Sequence, residues 1–83
     1  MKELILVKSV GCYECRWIED RIQQIARDEN VNMKIVDRNE LKHMDIGRTP
    51  CLLFMNSGFE INRIEGLAPE HKIKEVIRKS LTK

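Results

Sequence analysis

The sequence predicts an α/β fold: a central four-stranded mixed sheet flanked by three helices, in the order β-α-β-α-β-β-α. Three observations carry this. Leu4-Ile5-Leu6-Val7 is an unbroken apolar run of strand length, the pattern of a strand covered on both faces. From Ile18 the apolar spacing turns helical. Beyond residue 50, two runs flank the turn signal Asn56-Ser57-Gly58, which is the pattern of an antiparallel hairpin. With 83 residues the chain is read as one domain, 1–83.

Each element has its own justification. Ser9-Val10-Gly11 forms a short loop with a breaker. Ile18, Ile22, Ile25 and Ala26 then make one apolar stripe between polar residues, predicting a helix over 13–29 that stops at Asn30. Residues 31–36 supply Val, Met, Ile and Val to a second strand that ends at Asp37. A short helix is expected over 40–44. Cys51-Leu52-Leu53-Phe54-Met55 is the third strand, and 59–64 is a fourth, partly polar and so nearer an edge. Pro69 falls at a first helical position with Glu70 in the first turn, and Ile73, Val76, Ile77 and Leu81 stripe the last helix. The early strand–helix–strand unit implies a parallel pair, and the hairpin adds antiparallel pairing.

Composition narrows the function. Fifteen basic and thirteen acidic residues leave a net charge of +2, interspersed along the chain. Arg78, Lys79 and Lys83 gather at the end of the last helix, where cations offset the helix dipole. One Trp, one Tyr and two Phe are a thin supply for stacking bases. No nucleic-acid partner is expected, and no stretch reaches the length that spans a bilayer. The four apolar residues after Met1-Lys2-Glu3 are too few for a signal-peptide core. A monomeric cytoplasmic protein is expected, where a close pair of cysteines serves catalysis or metal binding rather than structure. Three cysteines, an odd count, make no disulfide framework.

The pair is Cys12 and Cys15, in Cys12-Tyr13-Glu14-Cys15. Cys12 stands where the first helix begins. Free amide groups and the dipole at that end favour an anion, so they favour its thiolate. A thiolate attacks a disulfide to form a mixed disulfide. A second thiol one turn further in can then attack the first sulfur and release the reduced product. Cys12 is assigned as nucleophile and Cys15 as resolving thiol.

Taken with Thr49-Pro50 ahead of an apolar strand, the 54–58 turn and Gly66 before the last helix, this motif resembles the thioredoxin superfamily. The chain is similar to its small thioredoxin/glutaredoxin-like members over nearly its whole length. The resemblance implies a thioredoxin fold and a protein-disulfide oxidoreductase of electron-carrier type. Its redox-active disulfide would be Cys12–Cys15, with no other cofactor. Its partners would be disulfide-containing proteins and a thioredoxin-reductase-type electron donor. The resemblance further implies a cis Thr49–Pro50 bond facing the cysteines, with the Thr49 backbone at the substrate; Tyr13, from its place beside Cys12, is read as flanking the substrate groove.

The chain also departs from the family pattern. Tyr-Glu replaces Gly-Pro between the cysteines, and Gly11 replaces a Trp. Glu14 places a negative charge beside the pair, which disfavours a thiolate. Leu6 stands where thioredoxins keep a buried acid, leaving Lys8 and Glu14 as the nearest proton carriers. The Gly-Gly and acidic signature that holds glutathione is missing after Phe54.

Other readings stand beside these. The cysteine pair could be half of a metal site, or part of an adaptor without redox turnover. Zinc wants four ligands, and Cys51, His43 and His71 are not at ligand spacing. Cys51 is read first as a small buried strand residue, and second as a third exchanging thiol. Trp17 suits either the substrate groove or the core. His43 and His71 are read as solvated helix residues, and Lys8 as the end of a strand.

Overall fold

A computed structural model of the chain describes residues 2–81. Lys83 therefore lies outside the described residues. The elements run β1 (Lys2–Lys8), α1 (Tyr13–Asp28), β2 (Asn32–Asp37), a 3₁₀ turn (Arg38–Leu41), β3 (Cys51–Asn56), β4 (Phe59–Glu65) and α2 (Glu70–Ser80). The four strands lie in the order β2-β1-β3-β4. β1 pairs parallel with β2, while β1–β3 and β3–β4 are antiparallel. This is the expected mixed sheet.

The expected third helix is absent among the described residues. In place of a helix over 40–44 there is one 3₁₀ turn over Arg38–Leu41, followed by turns that hold Lys42 and His43. Asp37 starts it through a capping box with Glu40, its side chain accepting from the Asn39 amide at 2.9 Å. The reason it stops is geometric. Leu41, Met44 and Ile46 all face the sheet. On an α-helix Leu41 and Ile46 would stand about 140° apart, so no single helical face could present both.

The other boundaries move by one residue. α1 closes at Asp28, and Asn30 takes a left-handed conformation, φ 58°. Its amide donates to the Arg27 carbonyl at 3.1 Å, and the Val31 amide donates to that of Ala26 at 3.0 Å. These two bonds are a Schellman closure. β2 consequently opens at Asn32, and β4 extends to Glu65. Pro69 is the residue that caps α2 rather than its first helical residue, and it makes no side-chain cap bond.

The sheet has two differently built faces. On one, Leu4, Leu6, Leu52 and Phe54 pack against Ile18, Ile22 and Ile25 of α1 and Ile73, Val76 and Ile77 of α2. Each such aliphatic side chain contributes roughly 1.5–3 kcal/mol by leaving water. On the other, Ile5, Val7, Cys51, Leu53 and Met55 lie under Ile46, with Val36, Leu41 and Met44 at the margin. Because both faces are covered, residues 4–7 of β1 are all buried, as their unbroken apolarity predicts. No described helix is long and apolar enough to cross a membrane.

Candidate active site at the Cys12 and Cys15 pair

The site forms where β1 ends. The chain leaves the sheet after Lys8 and turns at Gly11, whose φ of +78° is open to glycine at no steric cost. The Cys12 amide closes this turn on the Ser9 carbonyl at 3.2 Å. Cys12 then caps α1 in extended geometry, and its sulfur accepts the Cys15 amide at 3.1 Å. A hydrogen-bond donor and the positive helix end thus converge on one sulfur, the arrangement that stabilises a thiolate when the pair is reduced. Cys12 and Cys15 are disulfide-bonded, with Cα atoms 5.3 Å apart. Cys12 remains partly exposed, whereas Cys15 is 1% exposed.

The proline loop joins from the far side. Thr49–Pro50 is a cis peptide. The Pro50 carbonyl accepts the Gly66 amide at 2.7 Å, which ties the loop to the end of β4. Ser9 and Thr49 share a hydrogen bond of 2.7 Å between their hydroxyls, linking the cysteine loop to the proline loop. Gly66 has φ +84°, the left-handed region that favours glycine, and it lies against the Arg48 side chain.

Around Cys12 the surface is unusually apolar. Val10 is 90% exposed, Tyr13 86% and Trp17 70%. Trp17 is thus a surface residue and not part of the core. The Arg21 guanidinium lies 6.0 Å from its ring centroid, at the outer limit of a cation–π contact. Glu14 faces a small hollow shared with Arg48, Glu65, Gly66 and Leu67. Lys8 donates to Glu19 at 3.4 Å. His71 is exposed on α2, and His43 is exposed on a turn rather than a helix. Among the described residues no group of three His, Cys, Asp or Glu side chains could hold a metal ion.

Cys51 opens β3 directly after Pro50, yet its side chain belongs to the sheet face opposite α1. It is a free thiol, fully buried, and burial pushes its pKa up to about 11.

Two residues of this neighbourhood had no sequence signal of their own. Ser9 reads as loop and Asp37 as the end of a strand. Asp37 lines the groove beside both cysteines. It stands there because Lys8 and Asp37 are register partners at the ends of the parallel strands. That pairing could be anticipated only by aligning the two strand ends.

No protein-family model matches the sequence. No curated protein matches it either. Solved structures do. Thioredoxin 1 of Thermosipho africanus superposes with a TM-score of 0.77 at 19% identity, over 95% of this chain and 93% of that one. A Fasciola hepatica thioredoxin gives 0.79 at 23%, over 95% and 80%. A mutant thioredoxin of Halobacterium salinarum gives 0.82 at 18%, over 95% and 74%. The chain has the thioredoxin fold. At these identities the likeness is one of fold, and the chemistry rests on the side chains.

Proposed function

We propose that this chain is a thiol–disulfide oxidoreductase that reduces protein disulfides through Cys12 and Cys15. The observation that carries this is the contrast within the pair. Cys12, a partly exposed residue, caps a helix N-terminus and its sulfur accepts the Cys15 amide, while Cys15 is bonded to it and buried. Cys12 attacks and Cys15 resolves. The exposed Val10, Tyr13 and Trp17 suit an extended protein segment laid beside Cys12. The Thr49 backbone would pair with that segment as an added strand does, with Pro50 beneath it. The disulfide is the only redox group required. Electrons come from a thioredoxin-reductase-type flavoprotein, and the protein works as a monomer in the cytoplasm.

Insulin reduction tests the activity. Cys12→Ser is expected to abolish it, because the attacking sulfur is gone. Cys15→Ser is expected to accumulate mixed disulfides, because attack proceeds without resolution. Trapping by Cys12→Ser instead would reverse the two roles. An inactive protein that binds zinc tightly and stoichiometrically would replace this reading with a metal-carrying module. The Cys12–Cys15 reduction potential sets the direction: a value near that of thioredoxin, about −270 mV, marks a reductant.

A further inference from the structure

The resolving step poses a problem that the pair alone does not solve. Cys15 is 1% exposed, and it attacks only as a thiolate. Its proton must leave through whatever space adjoins the side chain. That space is a groove of about 450 Å³, bordered by Lys8, Cys12, Tyr13, Cys15, Arg16 and Asp37 among others. Among the described residues Asp37 is the one carboxylate on its walls. Glu14 borders a different hollow, and Lys8 is paired with Glu19.

We infer that Asp37 is the proton acceptor for Cys15, acting across this groove. The inference rests on the redox reading above and assigns it a further residue. A groove of this size holds water, and a base can act through one bridging water. The carboxylate is held in place. It accepts the Asn39 amide at 2.9 Å and takes part in the capping box of the 3₁₀ turn. A carboxylate has about four lone-pair sites, so these bonds leave room for a water.

The step balances. With Cys12 joined to substrate sulfur, the Cys15 thiol gives its proton to Asp37. The Cys15 thiolate attacks the Cys12 sulfur. The Cys12–substrate bond breaks as the Cys12–Cys15 bond forms, and the substrate sulfur leaves with the electron pair. It then takes the proton back from Asp37. The cysteine pair is oxidised by two electrons, and the substrate disulfide is reduced by the same two.

The other ionisable groups around Cys15 are known. Lys8 of β1 and Tyr13 and Arg16 of α1 share the groove. Glu19 stands behind Lys8. Glu14 neighbours Cys15 in sequence, Arg38 follows Asp37, and Arg48 and Cys51 flank Thr49-Pro50.

The test is Asp37→Asn, since Asn caps a helix about as well as Asp and preserves the turn. Two measurements are made on wild type and variant. One is the Cys15 thiol pKa, from carbon-13 β-carbon shifts of the reduced protein across pH. The other is the pH profile of reduction of bis-(2-hydroxyethyl) disulfide. Removing a nearby like charge should lower the Cys15 pKa, yet reduction at pH 7 should slow by about tenfold or more, because a positioned base is lost. A merely structural role would slow the reaction without lowering the pKa. An unchanged or raised Cys15 pKa overturns the inference, and so does an unchanged rate. If the wild type reduces the small disulfide but not insulin, the protein-substrate reading fails while the assignment of Asp37 stands on the two shifts. If it reduces neither, the redox reading and this assignment fall together.

Discussion

The two faces of the sheet are closed by different means. The helix face is sealed by apolar stripes, with seven residues of α1 and α2, and Leu81 just after α2, meeting four sheet residues in one cluster. The opposite face has no helix on it among the described residues. A short irregular segment lies there, and arginines hold it by its carbonyls. Arg38 donates to the Ile46 carbonyl at 2.7 Å, and Arg63 donates to that of Asp45 at 2.6 Å. Burial seals the first face, and hydrogen bonds to charged donors hold the cover of the second. The Thr49-Pro50 loop continues from this second cover, so the side of the site opposite α1 depends on directional bonds.

The largest effect is expected on the helix face. Phe54 is 0% exposed and central to that cluster. Phe54→Ala should cost about 3–5 kcal/mol of stability, from lost burial and the cavity left behind. Urea denaturation measures it. A loss below about 1 kcal/mol would mean that the helices do not dominate the closure of the sheet.

Arg63→Met breaks the other face. Arg63 donates to Glu60 at 2.7 and 2.8 Å, to Glu65 at 2.9 Å, and to the Asp45 carbonyl. The expected cost is smaller, about 1–2 kcal/mol, because these are charge-assisted bonds near solvent. Amide hydrogen exchange should accelerate over residues 41–47 while α1 keeps its protection relative to the whole. Equal acceleration in α1 would erase the distinction between the faces. The same variant has a pH signature. The hydrogen bond from Arg63 holds the Glu60 carboxyl below the usual range. A carboxyl with a lowered folded pKa stabilises fully above its unfolded value, about 4.3, and loses that contribution as the pH falls through the folded value. Arg63→Met should therefore flatten the acid limb of the stability curve below about pH 4.3.

The contrast explains which features the sequence made legible. The helix face was open to reading because its residues repeat at helical spacing: Ile18, Ile22 and Ile25, then Ile73, Val76 and Ile77. β1 was equally clear from four consecutive apolar residues. The helix expected over 40–44 gives way to an irregular cover, because Ile46 breaks the helical spacing of Leu41 and Met44. Arg38 and Arg63 act through backbone carbonyls, which carry no residue signature. At the site, Cys12, Cys15 and Thr49-Pro50 announce themselves locally. Asp37 and Ser9 do not, since their partners lie 22 or more positions away and meet them only when the strands are in register.

Cys51 sharpens the comparison with the smallest effect. It sits on the second face, buried among Ile5, Val7 and Leu53. Cys51→Ala removes one sulfur from a packed site and should cost about 1 kcal/mol at neutral pH. Burial raises its thiol pKa to about 11 in the folded chain, against an ordinary value of about 8.5 when unfolded. The folded state holds the proton more tightly, so the contribution is fully present below about pH 8.5. It fades as the pH rises towards 11, because the unfolded chain can ionise and the folded one cannot. With Cys12–Cys15 kept oxidised, those two thiols do not titrate. The stability gap between wild type and Cys51→Ala should then narrow from about 1 kcal/mol at pH 7 towards zero or below near pH 10. Urea midpoints at the two pH values decide it. The oxidised protein should also present one thiol, alkylated only after denaturation. A gap that does not change with pH, rapid alkylation of the native chain, or a peptide linking Cys51 to Cys12 or Cys15 would each show that the second face opens more readily than its packing implies. The link would add a third sulfur to the redox chemistry.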